Sequence, residues 1–126
     1  MKPETLEWVE KAEGDLKVAR REMGAVDPVW NVICFLAQQC GEKYLKAFLE
    51  ESNIAFPKTH DLVVLLNISG EPLQDLKAHK EQLARLSVFG IASRYPGRQA
   101  DREAAEDSMK TAEMIRTILR SRFGLP

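Results

Sequence analysis

The sequence predicts an all-α protein, an antiparallel up-and-down bundle of four or five helices. Three observations point there. Ile33, Ala37, Cys40, Tyr44, Ala47 and Phe48 recur at intervals of three and four, with Leu36 widening the stripe. Such a long amphipathic helix needs several partners along its apolar side. The valines within residues 61–67 could suit a strand, but no second strand candidate exists to pair with them. Breaks at Met23-Gly24-Ala25, Phe56-Pro57, Ser69-Gly70-Glu71-Pro72 and Tyr95-Pro96-Gly97 leave only modest loops between helical segments.

The first helix is expected over residues 3–21. Pro3 suits a first turn, Glu4, Thr5 and Glu7 are the acidic or capping groups favoured there, and Trp8, Val9, Ala12, Leu16 and Ala19 form its apolar stripe. Gly14 weakens its interior, and Gly24 is the expected C-cap. Asp27-Pro28 reads as the start of the second helix, Asp as cap and Pro in the first turn, with an end near Ser52-Asn53. Gly41, beside its apolar face, marks an expected close approach of another backbone. A short apolar helix follows at 61–67. A fourth runs from Pro72 through Leu73, Leu76, Leu83 and Leu86 to about Ala92, its stripe spoiled by Lys80. The last spans about 98–123, with Ala105, Met109, Ala112, Ile115 and Leu119 inward. Its acidic start and basic end match the helix dipole.

With 126 residues the chain fits one domain, spanning 1–126. Eighteen basic and nineteen acidic residues give a formal charge of −1, so no strong non-specific pull toward nucleic acid or an anionic membrane is expected. No signal-like or membrane-spanning apolar run follows Met1, and the cytoplasm is the expected location. Cys34 and Cys40 lie six apart on one helix, roughly 9 Å along its axis, too far for a disulfide. Cys40 reads as a small buried hydrophobe. Two histidines, without Cys-x-x-Cys, His-Glu-x-x-His or Glu-x-x-His, give no basis for a metal, and no cofactor fingerprint is present.

Three polar groupings remain. Arg94 and Tyr95 precede Pro96-Gly97 at a helix junction, where the arginine fork could grip phosphate or a partner's carboxylate. Equally, Tyr95 could plug the gap between helices while Arg94 satisfies helix-end carbonyls. Gln38, Glu42 and Lys46 share a face on successive turns, with Gln39 and Lys43 beside them. That face is either solvated or a buried polar seam in which Glu42 orients Arg94 or a lysine. His60-Asp61 suits a helix start, one residue capping and the other favouring the dipole; as an acid or base His60 would need partners.

Taken together, Trp8…Ala12…Asp15-Leu16…Ala19, Cys34-Phe35-Leu36-Ala37-Gln38-Gln39 with Glu42-Lys43…Leu45-Lys46-Ala47, His60-Asp61-Leu62…Leu65 and Arg94-Tyr95-Pro96 resemble the HEPN domain family, the higher eukaryotes and prokaryotes nucleotide-binding domain. The resemblance spans nearly the whole chain and implies the same bundle, commonly as a homodimer. It also implies a small nucleotidyltransferase partner, as in toxin–antitoxin pairs, and a nucleotide or RNA as ligand. Members that cleave RNA carry an arginine and, after four to six intervening residues, a histidine, brought together across the dimer. Arg94 matches the arginine, whereas Gln99, Ala100 and Asp101 stand where the histidine would be. The resemblance thus favours a nucleotide-binding, nucleotidyltransferase-partner protein with Arg94, Tyr95, Lys43 and Lys46 at the ligand. The rivals are a metal-independent endoribonuclease using Arg94, Tyr95 and Glu42 or His60, and a structural adaptor without a ligand site.

Overall fold

The computed structural model describes residues 1–126 and contains helices and no strand. Helix α1 is Pro3–Met23, α2 Trp30–Glu51 and α3 Leu62–Ser69; a 3₁₀ turn at Glu71–Leu73 leads into the one-turn α4, Gln74–Lys77. Helices α5, Lys80–Ala92, and α6, Arg102–Phe123, complete the chain. The expected rod is α2, which packs against α1, α6, α5 and α3. Ile33, Cys34, Ala37, Cys40, Tyr44, Leu45, Ala47, Phe48 and Leu49 are all buried along it. On α1 the inward residues are Val9, Ala12, Leu16 and Ala19, with Trp8 at their edge.

Both cysteines are free and buried. Burial, reinforced by the charges of Glu13 and Asp15, pushes the Cys40 thiol up to about 12. No helix is long and apolar enough to cross a membrane.

The departures from expectation lie at element ends. Asp27 caps nothing: α2 begins two residues after Pro28, with Val29 at the cap position and no side-chain cap. The Val29 amide instead donates to Glu22 Oε2 at 2.8 Å, so a carboxylate from the end of α1 satisfies the turn. The expected fourth helix is broken at Ala78-His79. The break resolves the flaw at Lys80, which faces solvent while Leu73, Leu76, Leu83 and Leu86 all remain buried. Helix α6 starts at Arg102 rather than near 98, because Asp101 accepts from the Ala104 amide at 2.8 Å and so sets the cap.

Two glycines permit close packing. At Gly41 a Cβ would meet side chains, Ile115 Cδ1 at 3.0 Å and Leu62 Cδ1 at 3.5 Å, and not the backbone expected from the sequence. The tight helix crossing is at Gly90, where a Cβ would stand 2.2 Å from Gln38 Cβ and 3.3 Å from the Cys34 carbonyl. Glycine there brings α5 against the polar face of α2.

Candidate functional site

That face of α2 is not solvated. Gln38, Glu42 and Lys46 are 1%, 4% and 9% exposed, so their side chains form a buried seam. Glu42 is its centre. Its Oε2 accepts from Lys46 Nζ at 2.9 Å, and its Oε1 lies 3.1 Å from Gln38 Nε2 and 2.9 Å from His60 Nδ1. Burial by itself would raise the Glu42 carboxyl, but hydrogen bonds from Lys46, His60 and Gln38 outweigh it and hold the group below the usual carboxylate range. Lys46 also lies 5.7 Å from the Trp8 ring centre and 5.9 Å from that of Phe56, so an aromatic pair and a carboxylate share its charge.

The seam reaches outward through His60. Asp61 is the cap of α3, accepting from the Val63 amide at 2.9 Å. His60 turns to Glu42 with its imidazole half-exposed, and its carbonyl accepts from Gln38 Nε2 at 2.7 Å. Glu42 therefore orients a lysine and a histidine, and not Arg94. Lys43 leaves the seam altogether: its Nζ is 2.6 Å from Asp15 Oδ2 on α1.

Arg94 and Tyr95 lie at the α2 end nearest Phe35. Both are exposed, so Tyr95 does not plug the helices and Arg94 Nη and Nε atoms bond no helix-end carbonyl. The Arg94 guanidinium sits 5.3 Å from the Phe35 ring centre and 6.0 Å from that of Tyr95. It takes part in none of the eight ion pairs. Glu42 lies seven positions after Phe35, about 10 Å along α2. Within one chain, Arg94 and the His60–Glu42 pair thus form two neighbouring stations.

Sequence reading missed Trp30 and Asn31. The Arg102 guanidinium lies 4.9 Å from the Trp30 ring centre. Asn31 holds the segment between the two arginines at both ends: its carbonyl accepts from Ser93 Oγ at 3.2 Å and its Oδ1 from the Ala100 amide at 2.7 Å. Beside this segment a cleft of about 760 Å³ opens between α5 and α6, lined in part by Phe89, Arg98, Gln99, Asp101 and Lys110. A helix-start Trp-Asn followed by Phe35 carries no motif by itself. Only the fold shows what those side chains hold. No three His, Cys, Asp or Glu side chains converge as a metal site would require.

From Thr5 to Arg122, residues 5–122, the chain matches the HEPN domain family. It is a HEPN-domain protein. The HEPN chain resembles in structure TT1696 from Thermus thermophilus, at 22% identity and a TM-score of 0.76 over 95% of this chain and 98% of that one. It is similar also to ST0689, an archaeal HEPN homologue, at 25% identity and a TM-score of 0.74 over 97% and 98% of the two chains. The first likeness bears on the fold alone. No curated protein matches the sequence. Of Gln99, Ala100 and Asp101, which stand where a histidine was looked for after Arg94, Asp101 has its carboxylate engaged in capping α6.

Proposed function

We propose that this HEPN-domain protein binds a nucleotide through Arg94 and acts, as a homodimer, as the partner of a small nucleotidyltransferase in a two-component, toxin–antitoxin-like system. The observation that carries the reading is the state of Arg94. Its guanidinium rests on Phe35 and Tyr95, is exposed, and has no carboxylate partner. A guanidinium drawn toward aromatic rings in this way, with no carboxylate on it, keeps its N–H groups available for phosphate. Support against catalysis comes from Gln99, Ala100 and Asp101, none of which supplies an imidazole.

Calorimetric titration with ATP tests the ligand. Arg94→Ala should weaken binding about tenfold or more while helicity is retained; equal affinity for the two proteins would overturn the assignment. Purification from cells carrying the native gene neighbourhood tests the partner: a nucleotidyltransferase should accompany the protein, and a monomeric mass without one counts against it.

One observation favours the endoribonuclease reading as second. His60 is half-exposed and aligned by a buried carboxylate, an arrangement suited to proton transfer. A second copy would have to bring that imidazole to Arg94. RNA cleavage in excess EDTA that His60→Ala and Arg94→Ala both abolish would establish it over the first.

A further inference from the structure

The segment from Ser93 to Arg102 is a strap laid across the first turns of α2, and it is fastened at four points. Ser93 Oγ donates to the Asn31 carbonyl, the Arg94 guanidinium lies 5.3 Å from the Phe35 ring centre, the Ala100 amide donates to Asn31 Oδ1, and the Arg102 guanidinium lies 4.9 Å from the Trp30 ring centre. Between the fastenings, Tyr95, Pro96, Gly97, Arg98 and Gln99 are exposed, and Gly97 has φ +84. Such a loop has many conformations to lose on binding an anion. Asn31 contacts both ends. At the Ser93 end its carbonyl adds to bonds at the end of α5, the Arg94 amide donating to the Ile91 carbonyl at 3.3 Å. At the other end its side chain is the partner of the Ala100 amide.

We infer that Asn31 is the positioning residue of the Arg94 site: its clasp on the strap holds the Arg94 guanidinium in its binding pose before the ligand arrives. The inference rests on the nucleotide reading of Arg94 and adds the group that presets it. Asn31 itself meets no ligand in this account. The Ala100 amide is the sensitive point, since it belongs to no helix and its partner is the Asn31 side chain. Without that acceptor the amide turns to water and the Ala100 end of the strap is released. The loss then appears as weaker binding, because the ordering that the clasp had supplied falls on the ligand.

The experiment compares wild type, Asn31→Ala, Arg94→Ala and the double variant. ATP and inorganic pyrophosphate are the titrants, and amide exchange of the full chain is followed at a temperature where every variant is folded. Asn31→Ala should speed exchange at Ala100 and weaken both titrants about tenfold, the scale of one well-made hydrogen bond. In the Arg94→Ala background the same change should have no further effect on affinity, because Asn31 acts through Arg94. A merely structural asparagine would instead leave the two losses additive. Wild-type binding that Asn31→Ala matches, or additive losses, would overturn the positioning role alone. Failure of the wild type to bind either titrant would overturn the Arg94 reading and this inference with it.

Discussion

Glycines 14 and 90 show how unlike two residues of one type can be. Around Gly14, on the exposed side of α1, a Cβ would meet nothing within 4 Å. Gly14→Ala therefore gains helix propensity without a clash and should stabilise by up to about 1 kcal/mol. At Gly90 the same change drives a Cβ to 2.2 Å from Gln38 Cβ and 2.6 Å from its Cγ. Both atoms sit close to the α2 backbone, so they cannot swing aside as a side-chain tip could. Overpacking of that kind costs about 1–3 kcal/mol, and Gly90→Ala should lower the urea midpoint. It should also disturb His60, whose carbonyl depends on the Gln38 amide. A Gly90→Ala protein as stable as wild type would mean that α5 does not lie against α2 at this point.

Element boundaries separate what the sequence discloses from what it conceals. The α2 stripe was legible because apolar periodicity is written in consecutive residues, and Val9, Ala12, Leu16 and Ala19 on α1 were legible for the same reason. Caps were less so, since several residues near a boundary have capping chemistry and tertiary contacts choose among them. Asp27 had the right type and a proline after it, yet Glu22 from α1 serves that turn. Asp101 had the same chemistry and does cap α6. Asp101→Ala should thus destabilise by about 1 kcal/mol, whereas Asp27→Ala should leave the denaturation midpoint where it is. The site was half legible. Arg94, Glu42 and His60 stood out as polar residues in informative places, but the burial of the Gln38–Glu42–Lys46 face depends on tertiary contacts, α5 at Gly90 against Gln38 and the rings of Trp8 and Phe56 beside Lys46. The clasp of Asn31 on Ala100 joins residues 69 apart in sequence, and no local pattern encodes it.

For the molecule as a whole, two carboxylates tie the bundle together and make its stability depend on pH. Glu42 joins α2 to the connection before α3 through His60. Glu13 joins α1 to α2 and α6: it accepts from the Tyr44 hydroxyl and from Arg116 Nε at 2.7 Å and Nη2 at 3.0 Å. At Glu13, burial acts to raise the carboxyl, but hydrogen bonds from Arg116 and Tyr44 and the charges of Arg116 and Arg120 prevail and lower it. Both groups are therefore lower in the folded chain than in the unfolded one. The unfolded state binds more protons as pH falls, so their contribution is complete above the ordinary Glu value of about 4.3 and disappears as pH drops through the folded values. Melting temperature should hold near neutral pH and decline steeply on the acid side. Glu42→Gln should cost about 3 kcal/mol at neutral pH, because it leaves the Lys46 ammonium buried without its counter-charge. It should also flatten the acid decline, as should Glu13→Gln, so that each variant's curve approaches wild type at low pH. Parallel curves for wild type and both variants would mean that neither carboxylate is held ionised by the fold, and the two linked clusters would lose their part in the molecule's stability.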